Sequence, residues 1–199
     1  MQDFKEKEGG IIAYMKELHM KLPSEKINIR IPGAKTILEN CFKYFLSMQG
    51  KEFIWQPEYD HVAEWLEDNR GRGLLLYGDC GRGKSLLAMY VIPAIILKYM
   101  GKVMRVYDTR EMNECLDAIL DRPLISLDDI GTEEIVNVYG NKRWAFTEII
   151  DAAEKYGKLL IISTNLDGPA IIERYGGRIM ERIISTTARV EFKGESLRK

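Results

Sequence analysis

The sequence predicts a three-layer α/β fold, in which one parallel sheet of five strands is covered by helices on both faces. From residue 73 onward, short apolar runs typical of strands alternate with longer segments of helical periodicity. Most of the runs are apolar throughout, which is typical of strands buried on both faces. A glycine-rich loop joins the first run to a helical segment. Together these observations favour a parallel sheet built from strand–helix units.

The elements follow in a regular order. The predicted strands cover 73–77, 102–107, 124–127, 158–163 and 188–192. The predicted helices between them cover 84–100, 109–120, 142–156 and 169–184. Pro93 is expected to kink or divide the first of these helices, because it lacks a backbone donor. Three earlier helical patterns, at about 11–20, 34–49 and 57–69, precede the sheet. We therefore expect an N-terminal helical extension at 1–50 and a sheet-bearing domain at 51–199.

Composition excludes several classes of protein. With 199 residues and 46% hydrophobic content, the chain is of ordinary globular type. No apolar run approaches the roughly 20 residues that span a bilayer, so no membrane association is expected. The charged N-terminus lacks the apolar core of a signal peptide, which favours a cytoplasmic protein. The 29 basic and 30 acidic residues give no basic excess of the kind that indicates a nucleic-acid binder.

Cysteines and histidines are few and widely spaced. The three cysteines are Cys41, Cys80 and Cys115, and the two histidines are His19 and His61. Their spacing matches neither a disulfide framework nor a zinc site. We expect all five to be packing or surface residues.

The loop after the first strand carries the strongest motif. Residues 78–85 read Gly-Asp-Cys-Gly-Arg-Gly-Lys-Ser, with the spacing that wraps a backbone around phosphates. Lys84 is expected to reach the β- and γ-phosphates of ATP, and the Ser85 hydroxyl to bind Mg²⁺. The motif predicts a P-loop nucleoside triphosphatase. Its expected nucleotide-binding residues are Gly78, Asp79, Cys80, Gly81, Arg82, Gly83, Lys84, Ser85 and Leu86.

Two carboxylates follow the apolar run at 124–127. A buried parallel strand would deliver them to the edge of the sheet at which ligands bind. Asp128 is expected to hold Mg²⁺, and Asp129 to orient or deprotonate the attacking water. A solvated Asp-Asp turn is the alternative. The second carboxylate favours hydrolysis over nucleotide storage.

Polar residues also follow the run at 158–163. Asn165 or Thr164 would lie near the γ-phosphate, and Asn165 would hold the attacking water. The alternative is a helix N-cap at Thr164, Asn165 or Asp167. Farther upstream, residues 53–55 would form an apolar wall for the base or pack in the core.

Two arginines, Arg178 and Arg182, lie four residues apart on one face of a predicted helix. A guanidinium group suits phosphate oxygens and can stabilise transition-state charge from a neighbouring subunit. The alternative is a solvated basic stripe that pairs with Glu173 or Glu181.

From Gly71 onward the chain resembles the AAA+ ATPase domain of bacterial helicase loaders of the DnaC/DnaI type and their IstB-type transposition relatives. The segments that carry the resemblance are 74–85, 127–133, 162–166, 175–183 and 192–198. By position, Asn165 resembles the sensor-1 residue, Arg182 the arginine finger acting in trans, and Arg198 the sensor-2 arginine. Arg178 is the finger's companion. The expected catalytic residues are Lys84, Asp129, Asn165 and Arg182, and no helical lid domain is expected.

The resemblance implies an ATP-hydrolysing assembly factor that loads a replicative helicase and binds ATP between the subunits of a homo-oligomer. An IstB-like transposition helper and a nucleotide-gated interaction protein with little hydrolysis are the alternatives. A small-molecule kinase is disfavoured by the 70 or so residues before the loop. Single-stranded DNA binding stays open, because the segment 109–123 is shorter than the one implicated in DNA contact in loaders.

Overall fold

Five parallel strands form the central sheet in the order β2-β3-β6-β1-β7. The computed structural model describes residues 2–22, 24–133, 136–138 and 141–197. The strands are β1 (Gly73–Gly78), β2 (Arg105–Tyr107), β3 (Leu124–Ile130), β4 (Val136–Val138), β5 (Asn141–Arg143), β6 (Leu159–Thr164) and β7 (Thr187–Phe192). Strands β4 and β5 form a separate antiparallel pair. The predicted five-stranded parallel sheet is confirmed.

Helices cover both faces of this sheet. The helices of the described residues are α1 (Gln2–Glu17), α2 (Ala34–Ser47), α3 (Glu58–Glu67), α4 (Lys84–Leu86), α5 (Ile92–Met100), α6 (Thr109–Glu114), α7 (Leu116–Leu120), α8 (Ala145–Tyr156), α9 (Gly168–Tyr175) and α10 (Gly177–Thr186). A π-helical turn, Leu87–Val91, connects α4 to α5. Among the described residues, no helix is both long enough and apolar enough to cross a bilayer.

Alternating side chains of the strands feed two cores. Leu74 and Leu76 of β1 pack with α2, α3 and the helical segment 87–96, whereas Leu75 packs with α6 to α10. The same alternation continues in the neighbouring strand β6, where Ile161 belongs to the first core and Ile162 to the second. Because both faces are buried, these strands are apolar throughout, as the sequence pattern indicates.

The segment before β1 packs on the first core. Ile29, Leu38 and Phe42 are fully or almost fully buried beside the residues of β1. The buried Asn69 side chain holds this segment in place: its Oδ1 accepts from the backbone of Ile29 at 2.7 Å, and its Nδ2 donates to the carbonyl of Ile27 at 3.0 Å. The division of the chain after residue 50 stays a prediction.

Pro93 divides the helix that follows the glycine-rich loop 78–85, here called the phosphate loop, as expected. In the π turn, the N–H of Ile92 donates to the carbonyl of Leu87, five residues back. The next bond of this kind would join residue 93 to Ala88, but proline has no N–H. The Ser126 hydroxyl of β3 donates to the Ala88 carbonyl instead, at 2.7 Å. This hydrogen bond connects the helical segment to β3 of the sheet.

Several predicted boundaries are wrong. The helix predicted at 142–156 begins only at Ala145, because residues 141–143 belong to β5. The helix predicted at 169–184 is divided at Gly176, whose φ of 87° and ψ of 156° favour glycine. The helix predicted at 109–120 is divided at Cys115. The second strand begins at Arg105 instead of residue 102, and α1 begins earlier than the pattern indicates.

We expect Asn69→Ala to lower the free energy of unfolding by about 2–3 kcal/mol, because its buried backbone partners lose their hydrogen bonds. Urea unfolding measures the change. Asn40→Ala, the same substitution at an exposed position of α2, is the control and should change the value by about 0.5 kcal/mol or less. Equal losses in the two variants would contradict the anchoring role of Asn69.

Candidate functional site

The phosphate loop joins β1 to α4 and depends on its glycines. Gly78, Gly81 and Gly83 have φ values of 109°, 74° and 96°, a region that other residues rarely adopt. A Cβ atom on Gly78 would lie 2.4 Å from the carbonyl oxygen of Phe192. A Cβ atom on Gly81 would lie 2.0 Å from the Ser196 hydroxyl oxygen. Both the backbone conformation and the close neighbours therefore require glycine.

Lys84 lies beneath the curve of this loop. Its side chain is buried, and its ammonium group donates to the carbonyl oxygens of Gly78 at 2.8 Å and Asp79 at 2.6 Å. Ser85 follows at the start of the helical segment and lines the adjacent cleft. The loop thus brings a cation and a hydroxyl to the same cleft.

Asp128 and Asp129 are positioned by Ser163 of β6. The Ser163 hydroxyl donates to the Asp128 carboxylate and accepts from the backbone N–H of Asp129 at 3.0 Å. The pairing of β3 with β6 shifts register between Leu127 and Ile130. Within this irregularity Asp129 has a φ of 56°. Sequence reasoning missed Ser163, although a polar residue within an apolar strand was the available signal.

Asn165 lies directly beside Asp129. Its amide Nδ2 donates to Oδ1 of Asp129 at 3.0 Å. Thr164 is buried and bonds to the Ile130 carbonyl, whereas Asp167 caps α9 by accepting from the N–H of Ala170 at 2.9 Å. Of the three residues considered as N-caps, only Asp167 caps this helix.

These groups line one cleft of about 880 Å³, a volume within the usual range for small-molecule sites. Its floor contains residues 80–86, both aspartates, Ser163 and Asn165. The cleft is also lined by residues of α2, by residues 49–54 and by Met89 and Tyr90. Phe53 and Ile54 line the cleft, but Phe53 also packs against the first core through Phe42 and Tyr59, so both hypotheses for residues 53–55 stay predictions. Trp55 instead packs on Tyr59 and lies within hydrogen-bond distance of Asp60.

The Arg82 side chain forms a buried ion pair with Glu58 of α3. Its guanidinium donates to Glu58 Oε1 at 2.9 Å and 2.6 Å, and to Gln56 Oε1 at 2.9 Å. The Tyr59 hydroxyl donates to the Arg82 carbonyl at 3.0 Å. Burial, followed by the charge of Glu58, raises the pKa of Tyr59 to about 12, so this hydroxyl stays a donor. Arg82 thus anchors the loop to α3, a role that sequence reasoning did not foresee.

Residues 193–197, after β7, cross over the same loop. The N–H of Gly194 donates to the Asp79 carboxylate at 2.8 Å, and that of Leu197 donates to the Gly81 carbonyl at 2.9 Å. Glu195, Ser196 and Leu197 line the cleft. Arg198, the expected sensor-2 arginine, lies outside the described residues.

Arg178 and Arg182 lie on α10 and do not line the cleft of their own chain. Arg182 forms ion pairs with Asp151 and, at 2.8 Å, with Glu154. Arg178 is mostly exposed and lies 3.9 Å from Asp151. The acidic partners therefore belong to α8, and neither Glu173 nor Glu181 of the alternative interpretation takes this place.

The remaining candidate ligands are scattered. Cys80 and Cys115 are exposed, Cys41 is partly buried, and all three are free thiols. Within the part of the chain that the structure describes, no group of three or more His, Cys, Asp and Glu side chains is placed to hold a metal ion. Ser85 and Asp128 nevertheless supply hard oxygen atoms of the kind that Mg²⁺ takes beside phosphates.

Comparison with known proteins supports this architecture. No family profile matches the sequence, and no curated protein matches it. The crystal structure of the DnaC helicase loader superposes with a TM-score of 0.59 at 19% identity, covering 71% of this chain and 94% of that chain. A DnaI structure matches with a TM-score of 0.51 at 24% identity, covering 64% and 73%. AMPPCP-bound DnaA from Aquifex aeolicus gives 0.52 at 20% identity, covering 72% and 49%.

The expected three-layer arrangement is confirmed. The chain therefore shares its fold with the aligned parts of DnaC, DnaI and DnaA.

Proposed function

We propose that this protein binds ATP with Mg²⁺ in the cleft, hydrolyses it, and acts as an assembly factor that loads a replicative DNA helicase. The observation that carries the proposal is the hydrogen-bonded series Asp128–Ser163–Asp129–Asn165 beside the phosphate loop. It places a candidate metal ligand and a candidate base together at the edge of the sheet at which ligands bind.

The loop suits a triphosphate. Its glycines leave no room for side chains between the backbone and its neighbours, and the helical segment 84–100 directs its N-terminal end toward the loop. Lys84 would bind the β- and γ-phosphates, and the base would lie near Phe53, Ile54 and Tyr90. The bound AMPPCP of the DnaA neighbour is in keeping with a nucleotide as ligand.

For magnesium, the ligands would be the Ser85 hydroxyl and the Asp128 carboxylate, the latter directly or through water. The ion would neutralise charge on the phosphate oxygens as the terminal phosphoryl group departs. Ser163 fixes Asp128 by donating to it, so this carboxylate is oriented before any ligand arrives.

Asp129 would take the proton of the attacking water. Its backbone is fixed by Ser163 and its carboxylate by Asn165. Because Asn165 donates to only one carboxylate oxygen in the structure, the other is available to accept from water. Asn165 would hold the same water through its amide oxygen.

We expect Asp129→Asn to lower kcat for ATP hydrolysis about 100-fold or more, because the amide cannot accept a proton. ATP affinity should change little, since asparagine keeps the shape of the side chain and tolerates a positive φ. Phosphate release and binding of a fluorescent ATP analogue measure the two quantities. Glu173→Gln, on the exposed surface of α9, is the control. An unchanged kcat, or wild-type protein that binds ATP without releasing phosphate, would favour the nucleotide-gated alternative.

The site is proposed to be shared between subunits. Arg182 does not line the cleft of its own chain, and its guanidinium pairs with Asp151 and Glu154 of α8 in a side chain that is 21% exposed. An arginine oriented in this way can enter the cleft of a neighbouring copy and stabilise transition-state charge there. Arg178, which is more exposed, would accompany it.

We expect turnover per subunit to rise with protein concentration and Arg182→Ala to abolish this rise, with a loss of about 1,000-fold at saturation. Arg110→Ala removes an arginine of similar type, paired with Glu114 on exposed α6, and serves as the control. Steady-state hydrolysis over a range of protein concentrations gives the result. Turnover that is independent of concentration would contradict a shared site.

The partner is inferred from the fold and from the resemblance to loaders. DnaC, with which 71% of this chain aligns, is described as a helicase loader. Only α6 and α7 connect β2 to β3, which leaves a short segment where loaders are expected to contact DNA. We therefore propose a protein, the hexameric helicase, as the primary partner.

We expect the purified protein to retain a hexameric helicase from its native lysate when ATP is present, and to release it with ADP. Mass spectrometry of the retained proteins identifies the partner, and nuclease treatment excludes bridging by DNA. Asp129→Asn should retain more of the helicase in ATP, because the complex cannot proceed through hydrolysis. Recovery of a transposase instead would support the transposition-helper alternative.

A further inference from the structure

We propose that Glu133 and Tyr175 are positioning residues that couple Asp129 to Arg182. Hydrolysis in one subunit would then respond to the position of α10, the helix of the same chain that carries Arg182. The proposal rests on the shared site described above. Neither residue lines the cleft, and nucleotide contact therefore does not account for their arrangement. What they connect is the turn after Asp129 and the start of α10.

Glu133 is a buried carboxylate with several partners. Its Oε2 accepts from the backbone N–H of Gly131 at 2.7 Å, and its Oε1 accepts from the Tyr175 hydroxyl. The Arg174 guanidinium donates to the main-chain carbonyl of Glu133, and its Nε lies 3.8 Å from Oε1. A buried charge is tolerated only where such partners are fixed. The geometry around Glu133 is therefore tightly specified.

On one side this carboxylate holds the turn that follows Asp129. Gly131 lies two residues after Asp129, and a Cβ atom on it would lie 2.6 Å from the Leu166 side chain. The Thr132 hydroxyl donates to the Asp129 carbonyl at 3.0 Å. A shift of Glu133 would move this turn, and with it the backbone that gives Asp129 its positive φ.

On the other side the carboxylate holds the junction from which α10 begins. Tyr175 ends α9, Gly176 forms the break, and α10 carries Arg178 in its first turn. The Tyr175 ring packs 4.8 Å from that of Phe146, in the first turn of α8. Helix α8 also carries the acidic residues that hold Arg182.

The tyrosine hydroxyl is suited to this position. Burial, followed by the hydrogen bond to Glu133, raises the pKa of Tyr175, so the hydroxyl keeps its proton and donates. The Tyr175–Glu133 hydrogen bond, together with the bond from Arg174 to the Glu133 carbonyl, thus joins the turn beside the candidate base to the helices that present the candidate finger. Movement of Arg182 on docking with a neighbour would be transmitted to Asp129 through the Tyr175 bond, since this bond acts on the carboxylate that holds the Gly131 N–H.

If the Glu133–Tyr175 contact only stabilised the fold, the structure would look the same but the kinetic result would differ. Its loss would then weaken the fold and slow hydrolysis independently of Arg182. Loss of a link that acts through Arg182 has no further effect once Arg182 is gone. Non-additive effects on kcat therefore separate the two roles.

The experiment is a double-mutant cycle with Tyr175→Phe and Arg182→Ala, measured as kcat and KM for ATP at saturating protein concentration. Tyr175→Phe keeps the ring against Phe146 and removes only the hydroxyl. We expect it to lower kcat about tenfold with KM little changed, and the double variant to be no slower than Arg182→Ala alone. Tyr156→Phe, at an exposed position at the end of α8, is the matched control and should behave as wild type.

Glu133→Gln repeats the cycle from the other end of the hydrogen bond, and thermal unfolding establishes that each variant is folded. An unchanged kcat for Tyr175→Phe, or losses that multiply in the double variant, overturns the coupling and leaves the shared site intact. An Arg182→Ala protein with the wild-type rate overturns the shared site and the coupling together. The two failures are therefore distinguishable.

Discussion

The cleft depends on the position of β6 between β1 and β3. Because parallel strands end at one edge of a sheet, this order places the phosphate loop, Ser163 and the two aspartates side by side. Ser163 then acts as a bridge, since one hydroxyl both donates to Asp128 and accepts from the backbone of Asp129. If a second strand lay beside β6 between β1 and β3, the phosphate loop and the two carboxylates would be farther apart. The strand order therefore determines which side chains can meet in the cleft.

A second constraint acts on the phosphate loop itself. A loop rich in glycine loses much conformational entropy when it is ordered. Here the loop is held by the Arg82–Glu58 ion pair on one side, by residues 193–197 on another, and by Lys84 from beneath. Elements from both halves of the chain therefore meet at the loop.

The sequence predicts those parts of the site whose chemistry requires certain residue types at a fixed spacing. The phosphate loop and the Asp128–Asp129 pair are of this kind, and a buried apolar strand before each of them indicates the sheet. The bridge through Ser163, the Arg82–Glu58 pair and the Glu133–Tyr175 bond join residues 24 to 42 positions apart, and only tertiary structure brings them together. The antiparallel pair of β4 and β5 was missed because its strands are short. The division at Gly176 was missed although Gly176 and Gly177 are adjacent glycines, because their presence does not reveal the φ that the chain adopts there.

The positive φ of Asp129 has a consequence for how this position would evolve. The left-handed region costs an aspartate some free energy that a glycine would not lose, so Asp129→Gly would relieve this strain. Under the proposed function, selection for hydrolysis would oppose that gain. In a lineage that used nucleotide binding alone, no carboxylate would be required, and asparagine or glycine would be tolerated at this position. The residue at this position would then record, in each descendant sequence, whether turnover had been retained.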